Sequence, residues 1–99
     1  MKISVVLCTY SMDRYPEFSE AAESILTQTY DDIELVAVID GTEEVYERVK
    51  DDYGDNPQTT IYCNDQNRGL SYSRNIGAEL ADGDVVAFMD DDAVAAPNW

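Results

Sequence analysis

Glu34-Leu35-Val36-Ala37-Val38-Ile39-Asp40-Gly41-Thr42 is the stretch on which the fold turns. Past Glu34 it is an unbroken apolar run, the pattern of a strand buried on both faces and not of one that alternates between core and water. Asp40-Gly41 closes the run, and Thr42 stands as N-cap candidate before a helix with Glu43 and Glu44 in its first turn. Val45, Tyr46, Val49 and Tyr53 then share one helical face, and Asp55-Asn56-Pro57 breaks the helix.

The same strand–turn–helix unit recurs on either side. Upstream, Ile3 to Cys8 is a second β-branched apolar run, followed by a polar turn from Thr9 to Arg14. Pro16 suits a first helical turn, and Phe18, Ala21, Ala22, Ile25 and Leu26 predict an amphipathic helix ending near Gln28. Downstream, Thr59 to Cys63 reads as a short strand and Asn64 to Gly69 as a polar loop. Leu70 to Ala81 reads as a helix with Ser73, Ile76, Gly77 and Leu80 inward. Asp82-Gly83 turns into a last strand, Asp84 to Met89, which runs directly into Asp90-Asp91-Asp92.

The order β-α-β-α-β-α-β implies an α/β fold: a three-layer α/β/α arrangement around a mainly parallel four-stranded sheet with right-handed crossovers. Ligands of such sheets gather outside the carboxyl ends of the strands. That rule selects Thr9-Tyr10, Asp40-Gly41, the loop after Cys63, and Asp90 to Asp92. The chain stops at Pro97-Asn98-Trp99 just past this edge, and reads as the N-terminal part of a longer domain, with a free-standing small domain as the alternative.

Six Lys+Arg face 21 Asp+Glu in 99 residues, a formal net charge of -15. Such a surface repels nucleic acid and anionic membrane, so neither is an expected partner. The carboxylates lie along helix faces (Glu17, Glu20, Glu23, Glu43, Glu44, Glu47) instead of forming a tail, a distribution that fits adaptation to a halophilic, salt-rich cytoplasm better than an acid- or cation-binding role. Molar salt cuts the range of their repulsion to about 3 Å. Unfolding followed from low to molar KCl is therefore expected to show stability rising with salt, and a flat profile refutes the adaptation. No apolar stretch approaches the roughly 20 residues of a membrane span, and no secretory signal is evident, so the chain reads as soluble and cytoplasmic, with membrane association open to a full-length protein. Cys8 and Cys63 are expected as free, buried thiols.

Three adjacent carboxylates at a strand end repel one another unless a cation, water or hydrogen bonds compensate them. Their hard oxygens suit Mg2+ or Mn2+, against the alternative of a solvated acidic turn. The segment from Asn67 to Asn75 carries Arg68 and Arg74 beside a helix start, an arrangement that favours diphosphate or else balances charge. Asp40 either accepts a nucleobase N–H or caps the following helix.

Taken in order, Ser4 to Tyr10, Ser24 to Tyr30, Val38 to Thr42, Asn67 to Ser71 with Arg74 to Gly77, and Phe88 to Asp92 resemble family 2 glycosyltransferases of the GT-A fold over essentially the whole chain. The resemblance implies that residues 1–99 are the nucleotide-sugar-binding part, without the acceptor-binding part. By the same resemblance Thr9 and Tyr10 line the nucleoside pocket, Asp40 binds the base (usually uracil) and Arg74 approaches the base or diphosphate. Asp90, Asp91 and Asp92 form the Asp-x-Asp motif, Asp92 holding the metal and Asp90 the ribose or a metal-bound water. The first strand is implied to lie between the second and fourth. A departure is Ile39, where many relatives carry a first Asp before Asp40. The implied reaction is inverting transfer of a sugar from a nucleoside diphosphate, a UDP-sugar, to an acceptor hydroxyl. Its carboxylate base is expected beyond Trp99, so these residues are expected to bind donor without transferring it, and an exposed truncation surface is open to self-association. A receiver-like acidic module, a nucleotidyltransferase and a ligand-free acidic domain are the rival classes. The first lacks paired acids after the first strand here, and the second lacks a Gly-rich basic loop there.

Overall fold

The computed structural model describes residues 1–28 and 32–89. Its elements are β1 (Ile3–Thr9), a 3-10 turn (Met12–Arg14), α1 (Tyr15–Leu26), β2 (Ile33–Ile39), α2 (Glu43–Tyr53), β3 (Thr59–Cys63), α3 (Leu70–Leu80) and β4 (Val85–Met89). All the strand pairs are parallel, in the order β3-β2-β1-β4. The chain thus folds as the α/β sheet that its alternating pattern requires, with β1 between β2 and β4. Every residue of β2 is buried, whereas β3 and β4, at the edges, are largely half-exposed. Parallel strands in the middle of a sheet lie under helices on both faces, which is why β2 has no polar alternation.

Alternate residues build two unequal cores. Val5, Leu7, Leu35, Ala37 and Ile39 meet Phe18, Ala22 and Ile25 of α1 and Val45, Val49 and Tyr53 of α2. On the opposite face Val6, Val36 and Val38 meet α3. Tyr15 of α1 donates its hydroxyl to Asp52, which also takes the Arg48 guanidinium, so α1 and α2 are joined at their outer rim.

Helix α3 approaches the sheet through glycine. A Cβ on Gly77 would lie 2.3 Å from Val6 Cγ1, so the contact line runs through Ser73 and Gly77, one helical turn apart. Ala81 continues that line against the valines. Leu80, expected inward, is instead 38% exposed. Close approach at Gly77 fixes the rotation of α3, and Leu80 falls beside the line. Thr42 does precede α2, but its hydroxyl makes no cap; it donates to the Tyr10 carbonyl at 2.6 Å.

At the amino ends of the strands, Glu34 is buried among polar partners. Its carboxylate accepts Ser4 Oγ at 2.7 Å, Thr60 Oγ1 at 3.3 Å and the Asp82 amide at 3.1 Å. Ser4 Oγ in turn accepts the Gly83 amide at 2.8 Å. This cluster holds the entry of β4 against β1. Glu34→Leu is expected to cost about 1–3 kcal/mol, because three donors lose their acceptor; an unchanged chemical-denaturation midpoint would refute the assignment.

Cys8 and Cys63 are free. They sit on β1 and β3 with β2 between them, a separation of roughly 9.5 Å across two strand spacings, beyond the reach of a disulfide. Both are only partly buried, short of the full burial expected, and burial raises the pKa of the Cys63 thiol above its ordinary value.

Candidate nucleotide-sugar site

The carboxyl ends of β1, β2 and β3 are laced side by side. The Asp40 amide donates to the Thr9 carbonyl at 2.8 Å, and the Asn64 amide to the Ile39 carbonyl at 2.8 Å. Beyond them opens a cleft of about 460 Å³, lined by Thr9, Tyr10, Arg14, Asp40, Ser73 and Arg74 among others. Four residues singled out from the sequence, Thr9, Tyr10, Asp40 and Arg74, are therefore brought together at one edge. Met89, the last residue of β4, lines the same cleft. Asp90, Asp91 and Asp92 follow it and lie outside the described residues, as do Thr29 and Tyr30 of the second resembling segment. Among the described residues no group of three His, Cys, Asp or Glu could hold a metal ion.

Each lining residue has a distinct character. Tyr10 is 56% exposed and lines the cleft. Thr9 is buried, and its hydroxyl has no hydrogen-bond partner among the described residues. A buried hydroxyl without a partner is costly unless something else supplies one.

Asp40 is only 6% exposed. Its Oδ1 accepts the Asn64 side-chain amide at 2.9 Å and the Arg68 backbone amide at 2.7 Å. Its Oδ2 accepts the Gly69 amide at 2.8 Å. Burial pushes the Asp40 pKa up, but these bonds, with a contribution from Ser73, outweigh it and hold the carboxyl below its ordinary value. Asp40 thus does not cap α2, the helix that follows it. It fastens the loop before α3 to the end of β2.

That fastening changes the picture of the basic segment. The Arg68 and Gly69 amides, which a diphosphate would be expected to use at a helix start, are already given to Asp40. The Arg68 side chain pairs with Asp65, its Nη2 3.0 Å from Oδ1 and 3.1 Å from Oδ2, and stacks 5.4 Å from the Tyr72 ring. Of the two arginines in this segment, Arg74 lines the cleft. Its companion there is Arg14, from the turn after β1, which the sequence reading passed over. The signal was present: Arg14 is one of six basic residues in a chain of net charge -15, and it follows a strand end.

The model of the family described as glycosyl transferase family 2 matches residues 4–99. The chain belongs to that family. A relative from Haloferax volcanii, named glucosyl-dolichyl phosphate glucuronosyltransferase, is 62% identical over 99 residues, all of this chain and 32% of its own length. The glycosyltransferase GlyA of Streptococcus pneumoniae is 33% identical over 91 residues, 92% of this chain and 13% of its own. The chain therefore spans a third or less of these family members.

Among solved structures, S. aureus TarS 1-349 superposes with a TM-score of 0.83 at 24% identity, over 98% of this chain and 29% of that one, a likeness of fold. Mannosyltransferase PcManGT from Pyrobaculum calidifontis, in complex with GDP-Man and Mn2+, superposes at 0.76 and 27% identity, over 97% and 29%. The parallel α/β sheet of this chain is the GT-A fold of these glycosyltransferases.

Proposed function

We propose that this chain supplies the donor site of an inverting, metal-assisted glycosyltransferase that moves a sugar from a nucleoside diphosphate, a UDP-sugar, to an acceptor hydroxyl. The observation that carries the reading is the cleft at the carboxyl edge, where two of six basic side chains collect in a chain of net charge -15. Such a gathering of positive charge on an otherwise acidic body suits an anionic ligand. The family to which the chain belongs, and the GDP-Man held by PcManGT, support a nucleotide sugar as that ligand.

In this reading Tyr10 stacks on the nucleoside and the Thr9 hydroxyl gains its missing partner from it. Asp40 accepts a base N–H with the acceptor capacity its three internal bonds leave, since a carboxylate offers about four lone-pair positions. Arg74, with Arg14, faces the diphosphate. Asp90 and Asp91 contact the ribose and donor, and Asp92 with Asp90 would hold Mn2+ or Mg2+. The donor set fits such an ion by its chemistry, hard carboxylate oxygens that follow in sequence on Met89, which lines the cleft. The bound ion would neutralise negative charge on the leaving diphosphate. The acceptor, whether saccharide, lipid-linked or protein, is not specified by the residues of this cleft.

Calorimetry with UDP, with and without Mn2+, tests this. Metal-dependent UDP binding that falls at least about tenfold in Asp92→Ala is the expected result, one lost charged ligand costing on the order of 1.4 kcal/mol or more. Binding that ignores Mn2+, or a preference for GDP, overturns the metal or the base assignment respectively.

A further inference from the structure

We infer that Asn64 is a positioning residue for base recognition, its buried side-chain amide setting the Asp40 carboxylate in the orientation that reads the donor base. The inference rests on the donor-site reading above. Asn64 is 3% exposed, and its Nδ2 lies 2.9 Å from Asp40 Oδ1 and 2.9 Å from Ser73 Oγ. One amide group therefore joins the carboxylate at the end of β2 to the cleft-lining hydroxyl of α3. Its own backbone amide, bonded to Ile39, fixes where the side chain starts.

The amide orientation follows from charge. Turning the group over would set two oxygens 2.9 Å apart, so Nδ2 must face the carboxylate. That choice leaves Asn64 Oδ1 buried and without a partner among the described residues. Such an oxygen is a local cost that a purely structural position would lose by becoming apolar. Here the amide bonds Oδ1 beside the Arg68 backbone amide, while the Gly69 backbone amide holds Oδ2. The backbone amides tie both oxygens to the loop, and the side-chain amide adds a tie from Oδ1 to α3 through Ser73. A carboxylate that turns freely accepts a base N–H poorly and discriminates little.

The test compares UDP with N3-methyl-UDP, which lacks the N–H that a carboxylate would accept. Calorimetry with Mn2+ compares the wild-type protein with Asn64→Ala and Asn64→Ser, which remove the bridge. Wild type is expected to prefer UDP by about tenfold or more, the range of one hydrogen bond to a charged group. In the variants UDP binds more weakly and the preference shrinks to within about threefold, the loss of that bond's selectivity. If both ligands weaken equally and the ratio persists, Asn64 is merely structural and the inference fails while the donor site stands. If wild type shows no preference, the Asp40 reading fails and takes the inference with it. Should neither variant fold, NMR on wild type decides: the Asn64 side-chain amide signals must shift with UDP and not with N3-methyl-UDP, and the same response to both overturns the inference.

Discussion

Gly41→Ala is expected to abolish UDP binding and to destabilise the chain by about 3 kcal/mol or more, combining backbone strain with a clash that no rotamer can relieve. Gly41 has φ of 77°, and a Cβ there would lie 2.3 Å from both the Asn67 nitrogen and the Gln66 carbonyl carbon. All these neighbours are backbone, so the 66–69 loop itself must move. That loop carries the amides held by Asp40, and its displacement opens the cleft wall. Gly69 supplies the control. It has φ of 93° and ψ of 165°, a region open essentially to glycine alone, but nothing lies within 4 Å of the added atom, so Gly69→Ala pays only the conformational term, about 1–3 kcal/mol. Thermal unfolding and UDP titration of both variants check the contrast. Equal effects would mean that the close approach at Gly41 does not govern the loop.

Asp40→Ala is the second large change. It strips the acceptor from the Asn64 amide and from the Arg68 and Gly69 backbone amides together. Each buried donor left bare costs about 1–3 kcal/mol before water enters, so a net loss near 3 kcal/mol is expected. UDP affinity should drop about a hundredfold, the sum of a lost charged hydrogen bond and a loosened loop. The pH dependence has a definite sign. Because the folded carboxyl titrates below its unfolded value, near 3.9, its contribution is complete above that value and is lost as pH falls through the folded one. Denaturation measured from pH 5 to pH 2 should therefore show a loss of stability below about pH 4 that is steeper than in Asp40→Asn, where the Asp52 contribution remains. Parallel curves would refute the tie.

Much of this architecture is written locally. The apolar runs of β1 and β2 and the spacing of Phe18, Ala22 and Ile25 are one-dimensional signals, and they gave elements in the right order. Strand order is not such a signal: nothing in the spacing of residues 3–9 and 85–89 says that these strands are neighbours, and the expectation came from the family resemblance. Leu80 was misplaced because helical periodicity marks an apolar stripe but not the rotation that Gly77 imposes against Val6. Thr42 was given a capping role because its position is right; that its hydroxyl reaches the Tyr10 carbonyl depends on a contact 32 residues away.

At the site, Thr9, Tyr10, Asp40 and Arg74 were legible because they follow strand ends or begin a helix. Asn64 was not, since an asparagine in a polar loop looks like any turn residue until β3 is laid beside β2. Arg14 and Arg68 exchanged importance for a similar reason. Asp65 and Tyr72 engage Arg68 through local i−3 and i+4 contacts, whereas Arg14 reaches the cleft only once β1 lies beside α3.

The gathering of Arg14 and Arg74 at the cleft of so acidic a body also bears on how fast the proposed donor would arrive. An anionic nucleotide approaching from afar meets a net repulsive field, and attraction appears only within the last few ångströms of the two guanidinium groups. Salt shortens the long-range repulsion more than the contact attraction. The association rate constant should therefore climb with ionic strength before it levels, the reverse of ordinary electrostatic steering, and the encounter should be slowest in dilute buffer.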